Sequence, residues 1–200
     1  MSDRESSALG TVFESLSDPG FQRLFDDFRY TAYRLEAHQI YGVPYEMAEF
    51  SRFQAGEARG EFPGIARWAD RVGKGVRAGK RFHRVHVVTE PLSDYVRFEC
   101  AWAYRHTVAA GEEVRIIAVP DGRWPDGLAD FDYWLFDSSV LVRMDYADDG
   151  AFLSAERVDA PDQIVQANAW RDQAVSLSVP FTDYAAGFDD LMRRPAASTP

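Results

Sequence analysis

A run of basic side chains is the chemical feature of this sequence with the most definite spacing. Residues 67–86 contain seven lysines and arginines and one aspartate, a net charge of +6 in a chain whose total is −10, so the other 180 residues carry −16. Arg67, Arg71 and Lys74 are spaced to share one face of a helix. Such a face can bind a phosphate group, a nucleic acid or an acidic protein, through the candidate contact residues Arg67, Arg71, Lys74, Arg77 and Arg84. A solvated helix face has the same pattern, and the lack of interleaved aromatic residues favours that second interpretation.

Charged side chains also occur inside otherwise apolar segments, where a buried charge persists only if it is paired. Asp94 and Arg97 are three residues apart on an expected helix, which allows them to pair. Arg143 is a charged residue in a largely apolar expected strand, where it comes directly after Val142. The candidate binding residues of this kind are Asp94, Arg97, Asp137, Arg143 and Arg171. Structural pairing is the commoner role of such residues, and a shared pocket is the alternative.

Several common sites are not supported by the motifs. No glycine-rich loop has the spacing of a phosphate- or dinucleotide-binding motif. The single cysteine, Cys100, excludes a thiolate zinc site, and His83 and His86 point to opposite faces if both lie on one strand. The acidic segment 145–156 matches a calcium loop only in part and is typical of a hairpin turn. The sequence therefore predicts no metal and no cofactor, and it indicates no catalytic residue.

Length and composition predict one domain. The chain has 200 residues, of which 46% are hydrophobic, enough for a core without disulfides. We expect a single domain over 10–192, with disordered termini at 1–9 and 193–200. No signal peptide and no apolar run of membrane-spanning length are apparent, which predicts a cytoplasmic protein without a membrane partner. Its acidity argues against nucleic acid as a partner except through 67–86; the oligomeric state is not predicted.

Hydrophobic periodicity predicts an α+β (or α/β) fold. Helical patterns follow Asp18 and cover 45–55, 63–79, 91–110 and the residues after 160. Strand patterns cover 84–88, 114–119, 132–136, 139–146 and 151–157, and a further extended stretch lies at 33–41. A strand, a helix and a strand in succession indicate a parallel crossover pair, and the last three strands indicate an antiparallel meander. We expect a single mixed sheet of about five strands, packed with helices.

Five sequence blocks resemble an actinobacterial family of uncharacterised proteins, a domain of unknown function whose members are often encoded beside helix-turn-helix regulators. The blocks are FQRLFDDFRYTAYRLE (21–36), YGVPYEMAEFSRFQAGE (41–57), RVHVVTEPLSDYVRFECAW (84–102), YWLFDSSVLVRMDYADDGAFL (133–153) and WRDQAVSLSVPFTDY (170–184). This resemblance implies a role near transcriptional regulation and no established activity. A weaker likeness, in the order of elements, is to a degenerate phospholipase D-like fold. Enzymes of that fold need an H-x-K motif, which the sequence lacks: His86 is followed by Val87 and Val88.

Two functional hypotheses follow. The first is a non-enzymatic regulatory or interaction protein that binds a partner, such as a helix-turn-helix regulator, or senses a ligand, with 67–86 and 120–130 as contact surfaces. The alternative is a phosphodiesterase or nuclease-like effector that uses Arg84, His86, Asp94, Arg97 and Arg143. An enzyme requires these side chains to converge in a cleft with perturbed pKa values. A binding module instead presents an exposed patch with the same charges paired.

Overall fold

One mixed sheet of eight strands organises the part of the chain that the computed structural model describes, residues 10–120 and 122–186. Its strands are β1 (Val12–Phe13), β2 (Thr31–Glu36), β3 (Arg81–Glu90), β4 (Glu113–Pro120), β5 (Asp132–Phe136), β6 (Val140–Tyr146), β7 (Phe152–Val158) and β8 (Val179–Pro180). They lie in the order β1-β7-β6-β5-β2-β3-β4-β8. The pairs β2–β3 and β3–β4 are parallel, and every other neighbouring pair is antiparallel.

The sequence-based prediction of about five strands is wrong, although the α+β class and the single mixed sheet are confirmed. β1 and β8 are two residues long, too short to show an alternating pattern. β2 lies at the centre of the sheet, where five of its six residues are buried on one face or the other. Arg34 and Glu36 break its apolar pattern, so the sequence indicates an extended segment there but not a central strand.

The predicted connectivity of the remaining strands is confirmed. β3 and β4 are parallel and are joined by a helical crossover. β5, β6 and β7 form the antiparallel meander. Asp137 and Ser138 make the first hairpin turn with φ angles of 48° and 58°, the left-handed conformation that matches the twist of two-residue hairpins.

Helices cover both faces of the sheet. They are α1 (Pro19–Asp27), α2 (Met47–Gln54), α3 (Pro63–Arg77), α4 (Asp94–Phe98), a π-helical turn (Glu99–Ala103), α5 (Tyr104–Ala109), α6 (Pro161–Leu177) and α7 (Phe181–Ala186). None of the helices within the described ranges combines the length and the apolar composition needed to cross a bilayer. The termini predicted to be disordered, 1–9 and 193–200, lie outside the described residues, and so does the end of the expected domain beyond residue 186.

The two faces of the sheet carry different cores. On one face α6 packs Ala167 and Ala174 against Tyr33, Leu35 and their neighbours. On the other face the aromatic side chains of α1 pack against β5, β6 and α3. The α3 helix comes so close to β3 that a Cβ at its Gly75 would lie 2.4 Å from the ring of a β3 phenylalanine. On this second face, α3 and the helices that connect β3 to β4 (α4, the π-helical turn and α5) cover polar side chains of the central strands.

Candidate functional site

A cavity of about 690 Å³ lies on this second face, bounded by the central strands, α1, α3 and the π-helical turn. Much of its wall is aromatic: Phe21, Phe25, Tyr41, Tyr45, Trp68, Tyr95, Tyr104, Trp134 and Tyr146. Its charged lining comes from Arg34, Glu36, Glu46, Arg67, Arg71, Arg84 and Glu99. Concave, largely apolar walls with a few convergent polar groups are typical of small-molecule sites.

The floor of the cavity is set by the register of β2 and β3. Arg34 pairs with Arg84, and Glu36 pairs with His86, across the parallel ladder. Because residues two apart on a strand share a face, all four side chains point to the same side of the sheet. All except Arg84, which is about a tenth exposed, are nearly inaccessible to solvent.

Ion pairs join these side chains into a buried network. Arg34 Nη2 lies 2.6 Å from Asp132 Oδ2, and its Nε lies 3.7 Å from Glu36 Oε1. Arg84 contacts Glu36 Oε1 at 2.9 Å and Glu112 Oε1 at 2.8 Å. The two arginines are thus held side by side because three carboxylates separate and neutralise them.

Two atoms of the cavity residues nevertheless have no hydrogen-bond partner among the described residues: the donor Arg34 Nη1 and the acceptor Glu99 Oε2. Glu99 begins the π-helical turn and is only 6% exposed. Buried polar atoms are nearly always hydrogen-bonded, so an orphan donor and an orphan acceptor in one cavity call for a ligand or a functional role. Helical π turns occur frequently at functional sites.

The carboxylates of the cavity have opposite pKa shifts. Burial alone raises the pKa of Glu36, but Arg84 and Arg34 outweigh it and lower the pKa to about 2. Burial, together with the charges of Glu36 and Glu46, raises the pKa of Glu99 well above its ordinary value. The surroundings therefore favour the ionised form of Glu36 and the protonated form of Glu99. This separation is the pattern of an acid and a base in one site.

His86 is neutral, since burial lowers its pKa. Its Nε2 lies 2.9 Å from the carbonyl oxygen of His38, and its Nδ1 lies 2.7 Å from the Tyr104 hydroxyl. A carbonyl oxygen only accepts, so Nε2 carries the proton and Nδ1 has the free lone pair. Nδ1 also lies 3.5 Å from Glu99 Oε2 and 3.9 Å from Glu36 Oε2. Glu36, His86 and Glu99 are the described residues whose ligand atoms are close enough to hold a metal ion.

Glu46 gives the cavity a group that titrates near neutrality. Burial raises its pKa to about 7, although the Tyr95 hydroxyl donates a hydrogen bond to it. The folded chain therefore keeps a proton that the unfolded chain, with an ordinary pKa of 4.5, releases earlier. The contribution of Glu46 to the free energy of unfolding therefore falls as the pH rises from 4.5 to 7, by up to about 3 kcal/mol.

The substitution Glu46→Gln is expected to remove this fall. The introduced glutamine is neutral at every pH, and its side-chain oxygen still accepts the hydrogen bond from Tyr95. Urea unfolding of both proteins should give equal stability near pH 4.5 and a more stable variant at pH 8. Glu61→Gln, at an exposed position, serves as the control and should keep the wild-type pH profile. An unchanged profile in the Glu46 variant would contradict the assignment.

The predicted contact residues of the basic segment divide into two groups. Arg67, Arg71 and Arg84 line the cavity. Lys74 is exposed and pairs with Asp70 at 2.6 Å, and Arg77 is exposed on the same helix. The segment is therefore partly a cavity wall and partly a solvated helix face; its contact with a partner stays a prediction.

The five other candidate binding residues do not converge on one site, although Arg171 donates a hydrogen bond to Ser138, next to Asp137, at 2.7 Å. Burial alone raises the pKa of Asp137, but its hydrogen bonds from the backbone N–H groups of residues 29–31 outweigh burial and lower the pKa. Arg143 pairs with the aspartate two residues later at 3.1 Å, and Arg171 with the adjacent aspartate at 2.8 Å. Arg97 donates to the carbonyl oxygen of residue 92, and Asp94 is exposed at the start of α4. None of the five lines the cavity, and their shared binding role remains a prediction.

Sequence analysis missed the main residues of the cavity: Arg34, Glu36, Glu46 and Glu99. In TAYRLE the alternation of apolar and charged residues is typical of a strand with one solvated face, yet helices cover that face. Glu99 lies between Phe98 and Cys100 in an apolar helix. A single acidic residue in such a helix indicates a buried carboxyl group that needs a partner, so the sequence contained a sign of this site. The expectation that His83 and His86 face opposite ways is confirmed: the His83 ring packs on Tyr33 and His86 contacts Tyr104.

Comparison with known proteins confirms one part of the resemblance seen in the sequence blocks, namely that the chain contains a domain of unknown function. A search of curated proteins found no significant match. The family model of the domain of unknown function DUF6879 matches residues 19–186, which include all the residues of the ion-pair network and of the Glu36, His86 and Glu99 group. The phospholipase D-like likeness has no support from these comparisons. Since that model covers most of the chain, this protein belongs to the DUF6879 family.

Proposed function

We propose that this domain is a non-enzymatic regulatory module that senses a small organic anion in its cavity. The observation that carries the proposal is the cavity itself: about 690 Å³, aromatic walls, and an orphan arginine donor at its floor. Pockets that bind small molecules have volumes of about 300–1,000 Å³. Among the ligand-sensing and partner-binding options, the cavity supports ligand sensing.

The arginines indicate the charge of the ligand. Arg34 Nη1 faces no acceptor among the described residues, although its Nη2 is bonded to Asp132. Arg67 is exposed at the cavity wall and forms no ion pair within the described ranges. Arg71 lines the same wall, with Gln22 and Asp26 as its partners. A phosphate or carboxylate group held between Arg67 and Arg71 fits this arrangement, because guanidinium groups bind such anions with two parallel hydrogen bonds.

The aromatic walls indicate the rest of the ligand. Trp68 packs edge-to-face on Trp134 with ring centroids 5.9 Å apart, and Tyr41 packs in the same way on Tyr146 at 5.1 Å, and all four rings line the cavity. Such an aromatic wall suits a ligand with planar or apolar groups. Nucleotides, phosphorylated aromatic metabolites and aromatic carboxylates combine the two features, and they form the first ligand panel.

Ligand binding is tested by thermal unfolding of the full chain with this panel. A ligand that binds the folded state raises the unfolding midpoint in proportion to the logarithm of its concentration above Kd. We expect Arg67→Ala to weaken binding of the hit about tenfold or more, since a charge-assisted hydrogen bond contributes about 1.5–3 kcal/mol. Arg77→Ala, exposed on the same helix, is the matched control and should leave Kd unchanged. A panel without any hit, or equal losses in both variants, would contradict the proposal.

A regulatory module also needs a partner that receives the signal. The partner implied by the family resemblance, a helix-turn-helix regulator, and the predicted cytoplasmic location both stay predictions. We propose that the complex depends on the cavity ligand. Co-purification of the two proteins with and without the panel hit tests this, and a complex indifferent to the ligand would argue for partner binding independent of sensing.

The opposite pKa shifts of Glu36 and Glu99 favour one second candidate, a hydrolytic enzyme acting on a phosphodiester. Of the residues named for this alternative, Arg84 and His86 belong to the buried network, whereas Asp94, Arg97 and Arg143 do not line the cavity. Incubation with bis(p-nitrophenyl) phosphate separates the two functions. Turnover that is lost in Glu99→Gln would establish the enzyme, and no turnover with tight binding of a panel ligand supports the sensor.

A further inference from the structure

Glu36 and Glu99, which line the cavity, and His86, which is buried behind them, bring ligand atoms of the types that transition metals prefer to one point. His86 Nδ1 lies 3.5 Å from Glu99 Oε2 and 3.9 Å from Glu36 Oε2, and the three ligand atoms all lie within 4.8 Å of one another. Metal–ligand bonds of about 2.0–2.2 Å in a tetrahedral site place the ligand atoms about 3.3–3.6 Å apart. Small rotations of the two carboxylates therefore suffice to complete three of the four positions.

The imidazole is already held in the tautomer that a metal requires. His86 Nε2 donates to the backbone carbonyl of His38 at 2.9 Å, which leaves the lone pair on Nδ1. A hydrogen bond from the distal nitrogen to a carbonyl is the usual support of a metal-binding histidine, because it fixes the ring and increases its basicity. This contact comes from a loop that follows β2, so the same chain segment positions Glu36 and orients His86.

A second and independent observation points to a ligand at this place. Glu99 Oε2 is a buried oxygen without a hydrogen-bond partner among the described residues, and the residue is only 6% exposed. It projects from the π-helical turn at Glu99–Ala103, an irregularity that re-aims side chains relative to a regular helix. A divalent cation gives this atom the partner it lacks.

We propose that Glu36, His86 and Glu99 form a binding site for a first-row divalent cation such as Zn²⁺ or Mn²⁺. An imidazole with two carboxylates suits these ions better than Cu⁺, which prefers sulfur ligands, or Ca²⁺, which needs six to eight oxygens. Three protein ligands leave a coordination position open, and the cavity adjoins Glu36 and Glu99. The site goes beyond the proposed sensing function because it needs no organic ligand.

Tyr104 is the side chain that a bound cation displaces. Its hydroxyl lies 2.7 Å from His86 Nδ1 and 3.1 Å from Glu36 Oε2, so it now occupies the lone pair of the imidazole. The hydroxyl has a single proton, so when a cation binds Nδ1 this proton is donated to Glu36 instead. The exchange replaces one hydrogen bond with a metal–nitrogen bond, and it also engages the orphan oxygen of Glu99.

Cobalt titration of the full, tag-free and chelator-treated chain tests the site with the metal alone. Co²⁺ bound to one nitrogen and two carboxylates shows visible d–d absorption, and we expect saturation at one equivalent. Glu99→Gln keeps the shape of the side chain but lowers the affinity at least about tenfold, since even outer-shell changes cost 10–100-fold. His83→Gln is the matched control, a buried histidine of the same strand that faces the opposite side, and it should bind as the wild type does.

Thermal unfolding with added Zn²⁺ provides a second readout that does not depend on colour. The midpoint should rise in the wild type and in His83→Gln, and it should not rise in Glu99→Gln. Circular dichroism verifies that each variant is folded before titration. Absence of saturable binding, equal affinity in Glu99→Gln, or equal loss in His83→Gln would overturn the proposal and leave Glu99 as a buried neutral acid. Failure of the organic-anion panel has no bearing on these results.

Discussion

Replacing Asp132 by asparagine is expected to lower the free energy of unfolding by about 3–5 kcal/mol, the range for breaking one partner of a buried ion pair. Asp132 is fully buried at the start of β5. Its Oδ2 accepts hydrogen bonds from Arg34 Nη2 at 2.6 Å and from the Tyr41 hydroxyl at 2.8 Å, and its Oδ1 accepts from the backbone N–H of Ala37 at 2.8 Å. The side-chain amide of an asparagine removes the negative charge, so the guanidinium loses its closest charge partner.

Urea unfolding at neutral pH measures this loss. Asp145→Asn is the matched control, because Asp145 pairs with Arg143 on the exposed side of β6, where an ion pair contributes at most about 1 kcal/mol. If both variants lose less than about 1 kcal/mol, Asp132 does not hold Arg34 in the cavity. The predicted ligand site could then not depend on Arg34 being held in place by Asp132.

Truncation of Phe98 to alanine is expected to be comparably destabilising, by about 3–5 kcal/mol. Phe98 is fully buried at the end of α4. Five aromatic rings lie with their centroids 5.5–5.9 Å from its own: Phe50, Phe53, Phe62, Tyr95 and Trp102. These rings come from α2, from the residue before α3, from α4 and from the π-helical turn, and rings held on separate elements fill the space left by the substitution only in part.

Chemical denaturation measures the effect of this truncation. The control is Val165→Ala on α6, where the side chain is 69% exposed and the change should stay within about 0.5 kcal/mol. A loss at Phe98 no larger than that of the control would mean that the packing of α2 on the crossover helix adds little to the stability of the domain.

Sequence patterns predicted the strands of the meander well and the central strand β2 poorly. The meander β5–β7 follows from alternating residues and turn signals, because each strand packs on its neighbours in sequence. β2 is different: its partners β3 and β5 lie about 50 and 100 residues further along the chain, and no local pattern specifies such pairing. Its charged residues then indicate a solvated face, whereas the long-range pairing places them in the interior.

In the basic segment, 67–86, the sequence also predicts some properties of single residues and leaves others to the tertiary structure. Its spacing correctly places Arg67 and Arg71 beside an apolar stripe on α3, and it predicts that such residues can contact an anion. The spacing cannot tell a cavity wall from solvent, because that depends on what packs opposite the helix. Arg71 lies at the cavity, whereas Lys74, three residues later, lies outside it.

The sequence by itself determined the α+β class, the parallel crossover, the meander and the charge of residues 67–86, since all of these depend on local periodicity and composition. Only the tertiary structure decided that Arg34, Glu36, Arg84, His86 and Glu99 meet. Their contacts join a strand near residue 35, a strand near 85 and a helix near 100. The free energy that keeps these charges buried comes from partners brought together by the sheet register and by the covering helices.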